Sequence, residues 1–207
     1  KGVITPPNVP FIAYIHTPMR YVWDLYNDYL HRSGIITRYF MKKWIPAIRE
    51  WDYISSQRID ALAANSKYVS RRIEKFWNRQ STVIYPPVDT DRLSPNGNSA
   101  EDFYVVFSRF VPYKRIDLAI HACGKLEKKL VVIGSGVQEK VLKGIASEYK
   151  RNSCSITFTG RISDEEVASY LQRCKALLFC AEEDFGIIPL EAQACGRPVI
   201  AYGKGGA

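Results

Sequence analysis

The feature that most constrains the fold of this chain is the alternation of short apolar runs with longer amphipathic segments in its second half. The apolar runs are rich in β-branched and aromatic residues and predict buried strands at 103–107, 130–133, 155–159, 176–180 and 198–201. Helical periodicity predicts helices at 114–126, 136–149, 164–173 and 186–195, and Ser163 and Glu166 have the spacing of a capping box. This alternation predicts an α/β fold with a parallel, doubly wound sheet, in which ligands bind at the carboxyl ends of the strands.

The first half of the chain has a less regular pattern. It predicts a strand at 11–15, mainly helical structure as far as Trp77, and a short strand at 83–85. We expect that one such strand with a long helical tail cannot form a sheet of its own. The stretch 93–102, rich in Pro, Gly, Asn and Ser, predicts a linker.

We therefore assign residues 1–98 to a partial N-terminal domain with an inter-domain segment. Residues 99–207 are assigned to a C-terminal domain that is truncated at its end. Because neither half has a complete pattern, we expect the chain to be a fragment of a longer protein.

Composition excludes some classes of protein and leaves others open. The 46% hydrophobic content excludes a disordered tail, and no apolar run reaches the ~18 residues that a membrane-spanning helix needs. The chain has 29 basic and 21 acidic residues, a net charge of +8, and basic residues alternate with aromatic ones in 38–49 and 67–79. Such segments are typical of a solvated face, an anionic membrane surface or a nucleic-acid contact, although no recognised nucleic-acid-binding fold is evident.

The cysteines predict buried, reduced thiols in a cytoplasmic protein. They are odd in number, widely spaced and without a C-x-x-C pair, which disfavours a disulfide framework or a metal site. The five are Cys123, Cys154, Cys174, Cys180 and Cys195.

A loop rich in carboxylates, residues 182–186, follows the predicted strand at 176–180 and leads into a helix. Gly186 lets the backbone approach a ligand closely, and free amides in the first helical turn can hold an anion or hydroxyl groups. Glu183 in the loop and Glu191 in the helix can converge on the same crevice. Two carboxylates beside free amides suit a nucleotide sugar, whereas acidic capping of an ordinary helix is the alternative.

A basic loop follows the strand at 103–107 and places Arg109 and Lys114 at the start of the next helix. Cations are locally unfavourable at a helix N-terminus, so they indicate a dianionic ligand there, with a surface basic patch as the alternative. Residues 134–136, Gly-Ser-Gly, lack the third glycine of a dinucleotide fingerprint, and a tight turn explains them. A Rossmann dehydrogenase is therefore disfavoured.

In combination, these motifs resemble the C-terminal domain of retaining GT-B glycosyltransferases of family 4. The motifs are SRFVPYKR at 108–115, FTGR at 158–161, the Glu183 to Glu191 spacing, ANSKYV at 64–69 and YPPVD at 85–89. HTPMRY at 16–21 resembles a subset of bacterial and archaeal mannosyltransferases of O-antigen and other surface-polysaccharide assembly.

The resemblance implies a GT-B fold with a Rossmann-like donor domain and a hexosyl transfer that retains anomeric configuration. It implies that Arg109 and Lys114 bind the donor diphosphate and stabilise the leaving group, so that neither a metal nor another cofactor is needed. It also implies that Glu191 holds the ribose hydroxyls and that Glu183 lies near the transferred sugar.

The family pattern further implies that the amides of Phe185, Gly186 and Ile187 contact the sugar hydroxyls and phosphate. His16 is implied to face the sugar from the other side of the cleft. The expected donor is GDP-mannose, with a UDP-sugar left open, and the expected acceptor is a glycan or a lipid-linked molecule. The expected location is the cytoplasm, with peripheral contact at the inner face of the cell membrane through the basic N-terminal half.

Two other functions stay open on the sequence. One is a catalytically incomplete module that only binds a nucleotide sugar, and the other is a basic nucleic-acid-binding protein. The second function is disfavoured, because no recognised nucleic-acid-binding fold is evident in the sequence, and we expect no nucleic-acid partner.

Overall fold

The computed structural model describes residues 2–149 and 155–207, apart from the side chain of Arg32. The last two residues aside, the chain divides into two compact units between Pro86 and Pro87. This division precedes the boundary at 98 that the sequence predicts, because Leu93 of the predicted linker is 2% exposed and lies in the core of the second unit. Each unit has its own parallel sheet.

The described part of the first unit has three strands and three helices. The strands are β1 (Ile12–Ile15), β2 (Ala61–Ala64) and β3 (Thr82–Val83), and they pair in the order β1-β2-β3. The helices are α1 (Tyr26–Arg32), α2 (Ile35–Gln57) and α3 (Lys67–Trp77). The expectation that this half forms no sheet of its own is wrong, because the sequence Ala-Leu-Ala-Ala forms the central strand. Its helix propensity is overridden by pairing on both sides and by burial of its last three residues.

The second unit confirms the predicted doubly wound sheet. Its strands are β4 (Tyr104–Phe107), β5 (Leu130–Ile133), β6 (Ile156–Gly160), β7 (Ala176–Phe179) and β8 (Val199–Ala201), all parallel, in the order β6-β5-β4-β7-β8. The helices are α4 (Ile116–Lys125), α5 (Glu139–Ser147), α6 (Asp164–Arg173) and α7 (Ile187–Ala194). The predicted capping box between Ser163 and Glu166 opens α6.

Two hydrophobic clusters cover the two faces of the second sheet, as the alternation of side chains along a strand requires. Val105 and Leu177 pack with residues of α6 and α7, whereas Val106 and Leu178 pack with residues of α4 and α5. The chain therefore moves outward from β4 through β5 to β6, and returns to the other side of β4 for β7 and β8. The connection reverses direction beside β4, which makes this the topological switch point of the sheet.

Three of the predicted core cysteines, Cys123, Cys174 and Cys195, are buried in the second unit, and Cys180 is half-buried. These four cysteines are not in disulfide bonds. Cys154 lies outside the described residues. Among the helices that the structure describes, none combines the length and apolar character needed to cross a bilayer.

Candidate functional site

The loops that follow β4 and β7 meet at the switch point and bring two of the predicted site residues together. Lys114 lies in the loop after β4, and its Nζ donates a hydrogen bond to Oε1 of Glu183 in the loop after β7. Each of these side chains is only 16% exposed. The two charges are therefore matched within the protein, at the edge of the sheet where ligands of this fold bind.

The prediction that Arg109 and Lys114 begin the next helix is wrong. A short 3-10 turn (Pro112–Lys114) follows β4, and Arg115 then takes a left-handed conformation, with φ of 51°, before α4 begins. Because Glu183 supplies the counter-charge of Lys114, that lysine does not by itself require an anionic ligand. Arg109 differs, since it is exposed and its guanidinium has no partner among the described residues.

A cavity of about 570 Å³ lies along the carboxyl ends of β4, β5 and β6. Its volume is within the range typical of small-ligand sites. Its lining includes Ser108, Arg109, Gly134, Gly136, Arg161 and Asp164. Two guanidinium groups beside glycine-rich backbone suit a ligand that carries phosphate. The buried Oγ of Ser108 has no hydrogen-bond partner among the described residues, so a ligand hydroxyl or phosphate can take this position.

Two glycines hold the Arg109 loop in place. A Cβ at Gly134, where φ is 127°, would lie 2.0 Å from the carbonyl oxygen of Ser108, and a Cβ at Gly136 would lie 2.5 Å from that of Phe110. The close approach allows the amide of Ser108 to donate to the carbonyl oxygen at the end of β5 at 3.1 Å, and the amide of Phe110 to donate to that of Ser135 at 2.9 Å. The sequence identified this glycine pair only as a tight turn, because the packing partner lies more than twenty residues away.

The carboxylate loop is positioned from both of its ends. At its end, Gly186 begins α7 with φ of 84° and without a side-chain hydrogen bond to the first turn, so the amide of Ile187 is free of a side-chain cap. Anions and hydroxyl groups bind readily at such a helix start. Earlier in the loop, the backbone of Glu183 packs against Gly205, where a Cβ would lie 2.7 Å from the Glu183 carbonyl oxygen. No local pattern in the sequence indicates this contact of Gly205.

Glu191 lies on α7 in different surroundings from Glu183. Burial raises the pKa of the Glu191 carboxyl, the positive charge of Arg92 opposes that rise, and the negative charge of Asp164 adds to it. Asp164 also lines the cavity, so Glu191 is electrostatically coupled to one of the cavity walls. Burial of the ionised carboxylate is costly for the fold, and carboxyl groups perturbed in this way are frequent at functional sites.

His16 and the following loop belong to the first unit, unlike the other predicted site residues. The imidazole is exposed, directly follows β1, and makes a T-shaped contact with the ring of Tyr14 at 5.3 Å between centroids. His16 therefore lies at the carboxyl end of a strand in a parallel sheet.

Comparison with known proteins links the chain to enzymes of sugar transfer. A family model for glycosyl transferases group 1 matches residues 88–207. An uncharacterised glycosyltransferase of Methanocaldococcus jannaschii is 29% identical over 176 residues, covering 84% of this chain and 46% of that protein. A GDP-mannose-dependent phosphatidylinositol monomannoside mannosyltransferase of Corynebacterium glutamicum is 30% identical, over 72% of this chain and 46% of that protein. The chain thus spans about half the length of the curated relatives it matches.

Among solved structures, Anabaena HepE in complex with UDP and glucose is similar, with a TM-score of 0.72. The match covers 95% of this chain and 54% of HepE at 18% sequence identity. At this identity the match shows the fold alone, and it confirms the predicted α/β architecture with parallel sheets.

Proposed function

Because the chain belongs to the glycosyl transferases group 1 family, we propose that it takes part in moving a hexosyl residue from a nucleoside diphosphate sugar to an acceptor hydroxyl. The observation that carries this proposal is the cavity at the carboxyl ends of β4, β5 and β6. Its wall has two guanidinium groups and a buried hydroxyl that has no hydrogen-bond partner in the part of the chain that the structure describes. A nucleoside diphosphate matches this lining in both charge and hydrogen-bonding capacity.

In the proposed complex, Arg109 binds the diphosphate through paired N–H donors, and the Ser108 hydroxyl adds a hydrogen bond. Glu191 accepts hydrogen bonds from the ribose hydroxyls. The amides at the start of α7, from Phe185 to Ile187, contact the sugar hydroxyls and phosphate. Arg109 and Ser108 line the cavity, residues 185–187 lie at the start of α7, and Glu191 lies about one turn further along that helix.

The Lys114–Glu183 ion pair is proposed to open when the donor binds. The Lys114 ammonium then turns to the phosphate and Glu183 accepts hydrogen bonds from hydroxyls of the sugar. During transfer, the bond from the anomeric carbon to the phosphate oxygen breaks and a bond to the acceptor oxygen forms on the same face. The acceptor proton passes to a phosphate oxygen of the donor, and Arg109 and Lys114 stabilise the charge that develops there. Loss of one such contact is expected to slow transfer by about 100-fold or more.

We propose GDP-mannose as the donor and a glycan or lipid-linked molecule as the acceptor. The corynebacterial relative, whose name describes a GDP-mannose-dependent mannosyltransferase, supports this choice of donor. His16 is proposed to contribute to recognition of the sugar. We further propose that the reaction needs no metal ion, because the cationic side chains can neutralise the diphosphate.

Calorimetric titration with GDP, UDP and ADP, with and without EDTA, tests the proposal. We expect one nucleotide to bind with and without EDTA, and its affinity to fall by about 10- to 100-fold in Arg109→Ala. Arg115→Asn is the matched control, because Arg115 is the next exposed arginine along the chain and pairs with Asp117 instead. Failure of the wild type to bind any of the three nucleotides, or equal losses in both variants, contradicts the proposed site.

A second experiment separates a transferase from a module that only binds its nucleotide sugar. Transfer of labelled sugar from a donor panel to a lipid-linked acceptor is measured for the 207-residue chain. We expect binding but little turnover, because the chain spans about half the length of the curated relatives it matches. Robust turnover contradicts that expectation, and its loss in Glu183→Gln then identifies a transferase.

The exposed face of α2 supports peripheral contact with an anionic lipid surface. Five large apolar side chains on this face are each at least 50% exposed: Ile36, Phe40, Trp44, Trp51 and Ile54. Their spacing places them on one side of the helix, opposite the buried Ile45 and Asp52. Lys43 is exposed beside them, which suits negatively charged headgroups.

Sedimentation with lipid vesicles tests this contact. We expect binding to phosphatidylglycerol vesicles but not to phosphatidylcholine vesicles, and loss of binding in the double variant Phe40→Ser, Trp44→Ser. Leu126→Ser is the control, since Leu126 is a similarly exposed apolar residue of the second unit. Equal binding to both vesicle types, or unchanged binding of the double variant, excludes the proposed lipid surface.

A further inference from the structure

The loop that follows His16, residues 17–25, is fixed by a buried arginine. Arg72 lies on α3 and is only 6% exposed. Its Nη1 donates to Oγ1 of Thr17 at 2.6 Å, and its Nη2 donates to the carbonyl oxygen of Pro18 at 3.4 Å and to Oδ1 of Asp24 at 2.6 Å. One planar guanidinium therefore contacts both residues that directly follow His16 and also the far end of the loop.

A second anchor holds the same loop from α2. Asp52 is 1% exposed, and its Oδ2 accepts hydrogen bonds from the indole N–H of Trp23 at 2.9 Å and of Trp77 at 2.7 Å. The Trp23 ring also stacks on Phe76, with centroids 4.8 Å apart. Since this anchor acts at Trp23, it fixes the end of the loop that is distant from His16.

The two anchors have different consequences for His16. The imidazole is exposed, and its ring contact described above is with Tyr14, two residues earlier on the same strand. Its backbone is fixed by the pairing of β1 on one side. On the other side, Arg72 provides the contacts to Thr17 and Pro18. A lysine at this position has one compact ammonium group and cannot reproduce the fork that spans these acceptors.

We propose that Arg72 is a positioning residue, which holds Thr17 and Pro18 so that the His16 imidazole is oriented for its contact with the sugar. The proposal deepens the proposed function, because it rests on the role assigned to His16. Arg72 itself is buried and acts through the loop.

The test compares Arg72→Lys and Thr17→Val with the matched control Arg71→Lys in the full 207-residue chain. Arg71 is the neighbouring exposed arginine, and its Nε donates to a backbone oxygen of its own helix. All four tryptophans lie in the first unit, so their fluorescence verifies that each variant retains its fold. Thr17→Val preserves the side-chain shape and removes one hydroxyl, which accepts from Arg72 and donates to the carbonyl oxygen of Pro18. It keeps the test valid if Arg72→Lys fails to fold.

The first readout is the His16 ring resonance in NMR, assigned by its absence in His16→Gln. We expect it to shift and broaden in Arg72→Lys and Thr17→Val, while it stays unchanged in Arg71→Lys. The resonances of His31 and His121 serve as internal references. An unchanged His16 resonance in folded Thr17→Val and Arg72→Lys overturns the proposal, whether or not the chain binds nucleotides.

The second readout is the ratio of the affinities for GDP-mannose and GDP. We expect Arg72→Lys to reduce the affinity for GDP-mannose by about 2- to 10-fold, the worth of one hydrogen bond, and to leave that for GDP unchanged. His16→Gln should have the same effect. If His16→Gln lowers the ratio and Arg72→Lys does not, Arg72 has no positioning role. If the wild type binds neither ligand, the proposed function fails, and the NMR readout alone decides the role of Arg72.

Discussion

Replacement of Gly134 by alanine should disturb the packing between the loops after β4 and β5, which line the candidate nucleotide site. The new Cβ would lie 2.0 Å from the carbonyl oxygen of Ser108, whereas ordinary contact begins at 3.4 Å, so one loop must move by about 1.4 Å. The φ angle of 127° at Gly134 is also unfavourable for any residue with a side chain. The movement displaces the backbone that leads directly into Arg109.

The expected loss in the free energy of unfolding is estimated from the backbone conformation and the hydrogen bonds that the substitution affects. A residue held in a disfavoured backbone conformation costs about 1–3 kcal/mol. The shift also strains two backbone hydrogen bonds, from Gly134 to Gly160 at 2.9 Å and from Ser108 to Ile133 at 3.1 Å, each worth about 0.5–1.5 kcal/mol. We therefore expect Gly134→Ala to lower the free energy of unfolding of the second unit by about 2–6 kcal/mol.

Gly144→Ala is a control with the opposite sign. Gly144 lies inside α5 and is exposed, and no atom of residues 2–149 or 155–207 lies within 4 Å of the position of a Cβ there. Alanine should therefore stabilise the second unit by about 0.5–1 kcal/mol, because it favours the helix.

Hydrogen exchange of peptides that cover β4 and β5, measured across a urea series, reports the stability of the second unit. Tryptophan fluorescence does not, since the tryptophans lie in the first unit. The same samples are titrated with the nucleotide that the wild type binds, and Gly134→Ala should bind it more weakly than Gly144→Ala. If Gly134→Ala is as stable as the wild type and binds equally well, the close packing of the two loops is not a requirement of the site.

Three further predictions concern individual side chains. Burial raises the pKa of the Glu191 carboxyl above its ordinary 4.5. The stability linked to its protonated form is therefore fully present below pH 4.5 and is lost as pH rises through the pKa of the folded state. In urea unfolding, Glu191→Gln should be more stable than the wild type at pH 7 but not at about pH 4. If Glu191→Gln is still more stable than the wild type at about pH 4, burial of the charged carboxylate is not the cause. Burial raises the pKa of the Cys174 thiol to about 11, so iodoacetamide at pH 8 should leave it unmodified in the native protein, as judged by mass spectrometry against a urea-unfolded sample. Glu183→Gln frees the Lys114 ammonium and should strengthen binding of GDP by about 3- to 10-fold in calorimetry, while the extra affinity for GDP-mannose is lost. If Glu183→Gln binds both GDP and GDP-mannose more weakly than the wild type, the Lys114–Glu183 ion pair does not compete with the phosphate for Lys114.

Local patterns were sufficient for most of the second unit. Each of its strands is a short apolar run flanked by residues that do not continue the pattern, and the Ser163–Glu166 capping box is a local signal that the structure reproduces. Where a neighbouring element decided the outcome, the pattern was misleading. The sequence at 61–64 is a good helix former that becomes a strand because β1 and β3 pair with it, and the predicted helix from Lys114 begins later because Arg115 is left-handed.

The candidate site divides in the same way. The α/β fold of the second unit and the residue types at the carboxyl ends of its strands follow from local patterns, because periodicity, glycine placement and capping act over a few residues. Which charges meet depends on the tertiary structure. It paired Lys114 with Glu183, left the Arg109 guanidinium without a partner among the described residues, and tied the loop after His16 to Arg72. The Lys114–Glu183 and Thr17–Arg72 contacts each join residues more than fifty positions apart in the sequence. The surroundings of Arg109 likewise depend on how the other residues of the second unit pack, which no local pattern contains.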